Sequence, residues 1–411
     1  DGGITWTATF TPTAGIADTS NVITLANGGV ADLAGNAGSG TTDSNNYSVD
    51  SQRPTATIVL SDSVLKPGET AQVTITFSEA VTGFSNADLS VANGTLSAVS
   101  SSDGGLTWTA TFTPTQGVTD ASNLISLDNT GVSDAAGNTG TGSTDSANYV
   151  VETQVPTATI VVADNALKVG ETSLVTITFS EAVSGFDNSD LTISNGTLSN
   201  VSSSDGGVTW TATFTPSASI TDTSNLISLD TSGVLNASGN SGVGVVNSNN
   251  YAIDTVRPGA TITVGDTSLG IGQSTTVTIS FTEAVSGFDL SDLSVANGVL
   301  SNLASSDGGL TWTATLTPTA GVNDATNLIL LDASTVQDLA GNAGVGIAIS
   351  SNYALDATRP TATIVVADPN LTVGETTQVT FTFSEPVTDF DLSDLSVTNG
   401  ELTNLTTSDG G

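Results

Sequence analysis

The chain is predicted to be all-β, a row of two-sheet antiparallel sandwiches, and three observations carry that expectation. The same 102-residue stretch is written four times without insertion or deletion, so that Trp6, Trp108, Trp210 and Trp312 fall in step, as do Tyr47, Tyr149, Tyr251 and Tyr353. A period of this length lets each copy bury its own core and is too long for a solenoid unit. Within a copy, short runs of alternating apolar and polar residues are broken by turn signals every ~8–12 residues, the pattern of a sandwich. No segment has helical periodicity. The expected division is 1–52 as the C-terminal half of a repeat, 53–154, 155–256 and 257–358 as whole repeats, and 359–411 as an N-terminal half. The chain lacks an initiating Met and opens and closes in mid-repeat, so it reads as a fragment of a longer protein.

The copy at 53–154 shows the elements in order. Thr55 to Leu60 reads as a first strand, ended by the turn at Lys66-Pro67-Gly68. Val73, Ile75 and Phe77 alternate with Thr74 and Thr76, a half-buried second strand. A loop from Glu79 to Asp88 leads to a short strand at Leu89 and Val91, and Asn93-Gly94 is expected to return it as a hairpin through Leu96 to Ser100. Asp103-Gly104-Gly105 makes the next turn, as do the triplets beginning at Asp1, Asp205, Asp307 and Asp409. Trp108, Ala110 and Phe112 then face one way while Thr107, Thr109 and Thr111 face the other. Leu124 to Leu127 forms the sixth strand and Tyr149 to Val151 the seventh, after a loop holding Asp134 and Asn138. The single Trp per copy is the expected core plug, with Tyr149 packed near a sheet end.

Several of these runs carry a family resemblance. Phe77-Ser78-Glu79-Ala80-Val81 with Gly83-Phe84 and Asp88-Leu89 resembles bacterial Ig-like repeats, as do Thr107 to Pro114, Asp134 to Asn138, and Tyr149 with the acid and Pro156 that follow it. The resemblance covers the whole chain. Such repeats occur in giant, type I-secreted, RTX-type adhesins of Gram-negative bacteria, associated with biofilms. The resemblance implies an extracellular, cell-surface location and a Ca²⁺-stiffened spacer array between an anchor and a distal adhesive domain.

Composition narrows the chemistry. Forty-one acidic residues against five basic ones give a net charge of −36, which disfavours nucleic acid and anionic lipid as partners. A hydrophobic content of 37% in alternating runs separates the chain from acidic disorder. Cys and His are absent, which excludes disulfides, thiol nucleophiles, structural zinc and a Ser-His-Asp triad. Only oxygen ligands remain, and these suit hard cations, Ca²⁺ above all. No stretch of 18 or more apolar residues occurs, so no membrane-spanning helix is expected.

In a seven-stranded Ig topology the loops after the second, fourth and sixth strands lie at the pole where the chain enters. The candidate cation ligands fall there: Glu79, Asp88 and Asp134 with the linker acid Asp50, and their counterparts Glu181, Asp190 and Glu152; Glu283, Asp292, Asp338 and Asp254; and Glu385, Asp394 and Asp356. Acids of the preceding domain's far pole, Asp62 and Asp120, are expected to face the same junction. Carboxylates this crowded repel unless a cation lies among them. The third copy departs from the pattern, with Asn236 in place of the acid and Asn247 in place of Asp43 and Asp145, so its junction is expected to bind most weakly. Ordinary structural duties compete at each position. Asp103 reads first as a hairpin turn, Asp88 as a turn cap, and Asp134 and Asn138 as loop stabilisers. The Thr rows read as plain β-propensity, and Asn93-Gly94-Thr95 as a turn before a glycosylation acceptor. Asp187 and Asp190 lack the cleft and stacking aromatics of a glycosidase.

The sequence therefore predicts a structural role, a calcium-stiffened extender whose neighbouring repeats are its partners. With strands rising ~3.3 Å per residue, one domain spans roughly 40 Å. The alternative is a repeated ligand-binding module for a glycan or host receptor, disfavoured by loop tips poor in Tyr, Trp and Arg. An enzyme is disfavoured because no nucleophile and base assemble.

Overall fold

A computed structural model describes residues 2–409, leaving Asp1 and Gly410-Gly411 of the terminal turns outside the described residues. Three cores form, one inside each whole repeat, drawn from residues 58–151, 160–253 and 262–355. In the first, Ala56–Leu60 pairs antiparallel with Ala71–Phe77, which pairs with Thr107–Pro114, whose other edge takes Gly94–Leu96 and Ser100–Ser101. Facing this sheet, Leu89–Val91 pairs with Ile125–Asp128 and that with Ser143–Asp145. A separate three-stranded sheet pairs Thr119–Asn123 with Tyr149–Glu152, with Val64–Leu65 added in parallel. The Ig-like sandwich is thus present in each whole copy, and 2–49 and 359–409 carry part of the same strand set.

The alternation read from Val73, Ile75 and Phe77 is the observed one, with these side chains buried and Gln72 and Thr76 exposed. Each such side chain contributes about 1.5–3 kcal/mol when fully withdrawn from water. Three expectations need correction. Asn93, at φ 48°, does not close a hairpin, because the strands on either side of it belong to opposite sheets. It turns a corner, and Gly94 is required there because a Cβ would lie 2.2 Å from the Phe112 ring. Tyr149, not Trp108, is the fully buried aromatic. The Tyr149 ring meets Phe112 edge-on at 5.1 Å and its hydroxyl donates to the Ala92 carbonyl, which allows the polar tip to be buried. Trp108 sits half-buried near the Asp103 turn, edge-on to Phe84 at 5.2 Å, with its indole N–H donating to the Gly105 carbonyl at 3.0 Å. Finally, the sixth and seventh expected strands, Ile125–Asp128 and Tyr149–Glu152, are each preceded by a strand not expected, Thr119–Asn123 and Ser143–Asp145. The pairing of Thr119–Asn123 with Tyr149–Glu152 carries a bulge between Asp120 and Asn123, and the Asn123 amide fills it by donating to the Asp120 and Tyr149 carbonyls.

Candidate cation sites at the domain junctions

A small ladder builds the site. Beyond Phe77 the chain leaves its sheet, and Val81–Thr82 pairs with Ser133–Asp134, Val81 opposite Asp134. Glu79, two residues before this ladder, is thereby set beside Asp134. Asp50 ends the strand Tyr47–Asp50 of the preceding copy and arrives at the same place. Carboxylate oxygens of Asp50, Glu79 and Asp134 all lie within 4.8 Å of one another, and those of Asp254, Glu283 and Asp338 repeat the arrangement. One asparagine orders each group. The Asn138 backbone and side-chain N–H groups donate to the two oxygens of Asp134 at 2.8 and 2.7 Å, and the same side chain donates to the Asp50 carbonyl at 3.3 Å. Asn342 does the same for Asp338, at 2.8 Å for both bonds, and for the Asp254 carbonyl at 3.0 Å.

The electrostatics of the triad are unequal. Burial, followed by the charges of Asp134 and Asp50, pushes the Glu79 carboxyl above its ordinary value. Burial, Asp338 and Asp254 do the same to Glu283. Burial also works on Asp134, but its bonds from Asn138, Ala136 and Gly137 together outweigh it and hold the carboxyl below the usual range. Among the described residues, the buried side-chain oxygens left without a hydrogen-bond partner are Oε1 of Glu79, Glu181, Glu283 and Glu385. A buried carboxylate oxygen without a donor is costly, so each of these glutamates stands short of a partner.

The remaining candidates fall elsewhere or into altered settings. Asp88, Asp190, Asp292 and Asp394 each close a capping box on a short 3₁₀ turn, accepting from the backbone N–H of residues 85, 187, 289 and 391. Asp88 also packs on the Asn129–Gly131 turn, where a Cβ on Gly131 would overlap its carboxylate. Asp187 and Asp190 serve one such turn together. Asp356, Glu385 and Asp394 line a cavity of about 590 Å³ with Gly270 and Ile271 of the preceding domain. Asp103 accepts from Thr107 N–H and the Ser101 hydroxyl, bonds that hold its carboxyl down to about 2, and so forms a turn.

At the third copy the triad is replaced. Asn236 donates to the Gln154 carbonyl at 3.0 Å, and Asn240 donates to the Glu152 and Gln154 carbonyls at 2.6 and 2.9 Å. Glu152 and Glu181 remain the acids there. Asn247 is not at the junction: it accepts from the Ser228 hydroxyl within its strand.

The far-pole acids also need correction. Asp62 accepts from Val64 N–H and Asp120 from Ser122 N–H and the Asn93 amide, within their own domain. What the preceding domain brings to the junction is hydrogen-bond donors. Lys66 donates to the Ser238 carbonyl at 3.0 Å, and Val169 N–H, next to Lys168, donates to Asn342 at 2.8 Å. A signal for this was present in the sequence, since all five basic residues occupy two repeat positions, one represented by Arg53 and the other by Lys66.

Comparison with known proteins places the chain. The bacterial Ig-like domain family matches residues 1–49, 50–151, 152–253, 254–355 and 356–411, the whole chain in five segments. The chain belongs to that family. Among solved structures, similarity extends to the Escherichia coli adhesin FdeC, at 12% identity and TM-score 0.30 over 74% of this chain and 97% of that one. It extends also to a titin I9–I11 tandem at 9% and 0.24, over 74% and 99%, and to the Yersinia pseudotuberculosis adhesin InvE at 17% and 0.20, over 49% and 59%. These low scores bear on neither function nor mechanism. No curated protein matches the chain.

Proposed function

We propose that this array of bacterial Ig-like domains is the calcium-stiffened spacer of an extracellular adhesin on a bacterial surface, holding a distal adhesive domain away from the cell. A type I-secreted parent protein is part of this reading. The observation that supports it best is the glutamate oxygen buried without a partner beside two further carboxylates, at Glu79 and again at Glu283. At an effective dielectric of about 20, two such charges repel by on the order of 3 kcal/mol before solvent screening. The donor set fits a hard cation, with every side-chain ligand an oxygen.

Asp50, Glu79 and Asp134 would hold one ion and Asp254, Glu283 and Asp338 another. A bound Ca²⁺ supplies positive charge that relieves the repulsion. The chain's own residues do the rest. Asn138 and Asn342 hold the loop acid in place, and each also binds the linker backbone, so loop and linker are ordered as one unit. Asp50 and Asp254 belong to strands of the preceding domain, whereas the other acids belong to the next, and a shared ion therefore ties two domains. The role requires no catalysis.

Titration of chelator-stripped chain with Ca²⁺, followed by calorimetry and thermal melting, tests the reading. Binding with a raised melting midpoint is expected, worth about 2.7 kcal/mol at one hundred times Kd. Glu79→Gln with Glu283→Gln is expected to abolish most of it. A midpoint indifferent to both Ca²⁺ and EDTA at low salt would remove calcium from the account.

A further inference from the structure

The joint at residues 152–156 differs from its neighbours in a coordinated way. It has lost an acid, because Asn236 stands where Asp134 and Asp338 stand in the other copies. It has also lost the linker cation, because Val155 stands where Arg53 and Arg257 stand. Those two arginines donate to the carbonyls of Thr139 and Ala343, the residues just after the acid-bearing turns of their own domains. The turn acid and the linker arginine are thus both absent at one joint and both present at the joints on either side.

Hydrogen bonds from protein donors take the place of the lost acid and arginine, while Glu181 Oε1 stays buried without a partner as at the other joints. The buried amides of Asn236 and Asn240 hold the carbonyls of Glu152 and Gln154, and Asn240 N–H donates to Asn236 Oδ1 at 2.9 Å, closing the turn on itself. The half-buried Lys66 ammonium, from the preceding domain, then donates to Ser238 at the tip of that same turn. At the next joint the equivalent Lys168 lies 3.7 Å from Glu171 of its own domain, the cross-domain bond comes instead from Val169 N–H to Asn342 at 2.8 Å, and three carboxylates crowd the turn. An ammonium donating to a carbonyl in a part-buried site is a charge-assisted bond, stronger than a neutral one.

We propose that the joint at residues 152–156 is a cation-independent latch, in which Lys66 of one domain grips the Asn236–Asn240 turn of the next and keeps the two docked when divalent cation is withdrawn. The proposal rests on the calcium reading only for the contrast it draws with the neighbouring joints. The array then has two kinds of joint, one that stiffens with calcium and one that is stiff throughout.

The absence of cysteine makes site-directed spin labelling clean. Labels at the exposed, equivalent positions Thr113→Cys and Thr215→Cys straddle the latch, and Thr215→Cys with Thr317→Cys straddle the triad joint at Asp254. Pulsed dipolar distances in the full chain are expected to give a narrow peak for the first pair in Ca²⁺ and in EDTA alike. Lys66→Met is expected to abolish that narrow peak in both conditions while leaving the second pair narrow in Ca²⁺, which shows the domains still folded. Asn236→Asp is expected to make the first pair narrow only in Ca²⁺. In the otherwise unaltered chain, a first pair that broadens in EDTA, or one that ignores Lys66→Met, overturns the latch. A second pair indifferent to EDTA counts against the calcium reading instead, and leaves the Lys66→Met result to decide the latch.

Discussion

The joints at Asp254 and at Glu152 are built on one template and solve the same problem in opposite ways. Both need to attach a turn of the incoming domain to the linker backbone, and both use an asparagine side chain on a linker carbonyl, Asn342 on Asp254 and Asn240 on Glu152. At the Asp254 joint the turn carries a carboxylate, which the Asn342 amide holds at 2.8 Å and which stands among two others. At the Glu152 joint the turn carries an amide that is itself a donor and bonds the linker directly. At the turn itself the difference is one atom, an oxygen in Asp338 against a nitrogen in Asn236, which turns a negatively charged acceptor into a hydrogen-bond donor. The comparison teaches that, on the calcium reading, cation dependence would be a local property of a few residues on a shared backbone.

Asp338→Asn breaks the comparison most directly. It is expected to convert the Asp254 joint toward the amide type and weaken calcium there by at least about tenfold, or ~1.4 kcal/mol. Calorimetric titration of the variant against the unaltered chain reads the change, and equal affinity would show that Asp338 is a loop stabiliser and not a ligand.

Acidity sharpens the comparison with a smaller effect. The carboxyls of Glu79 and Glu283 sit above their ordinary 4.5 through burial and neighbouring acids, so a proton competes with the cation at a higher pH than an ordinary glutamate allows. Calcium affinity at the two triads is expected to fall as pH is lowered from neutrality toward about 5, by up to severalfold. Without calcium the sign reverses. An acid whose folded value is raised binds its proton more tightly folded than unfolded. The empty triad therefore gains stability as pH falls through that value and loses it as pH rises. Melting in EDTA across the same range checks this, and a midpoint that rises with pH near the triad's titration would contradict it.

How much of this was legible in the sequence follows from what each feature depends on. The repeat and the strand cores of Val73, Ile75 and Phe77 were legible because alternation and spacing are properties of the chain itself. So was the grouping of Glu79, Asp134 and Asp50, because Ig topology assigns loops to poles. Asp88 was not, since a residue three positions after Ser85 satisfies a capping box as well as a cation, and only coordinates separate the two. The Asn93 corner was misread because Asn-Gly fixes a backbone turn without saying whether its strands share a sheet. Tyr149 and Trp108 exchanged their expected roles, because burial follows from which aromatic has a carbonyl within reach of its polar tip and from where the opposing sheet lies. The lysines went unread for a plainer reason. In a chain with 41 acids carboxylates populate most of the loops, and the five bases, confined to two repeat positions, bear on the junction only once Ser238 and Thr139 are placed beside them.

Small-angle scattering of the whole chain, with saturating Ca²⁺ and then with EDTA, tests the central claim most directly. The account predicts a longer and more sharply bounded distance distribution in calcium, with a shorter and broader one in EDTA that still retains the docked pair of domains flanking residues 152–156. A maximum dimension and profile identical in the two conditions would contradict it.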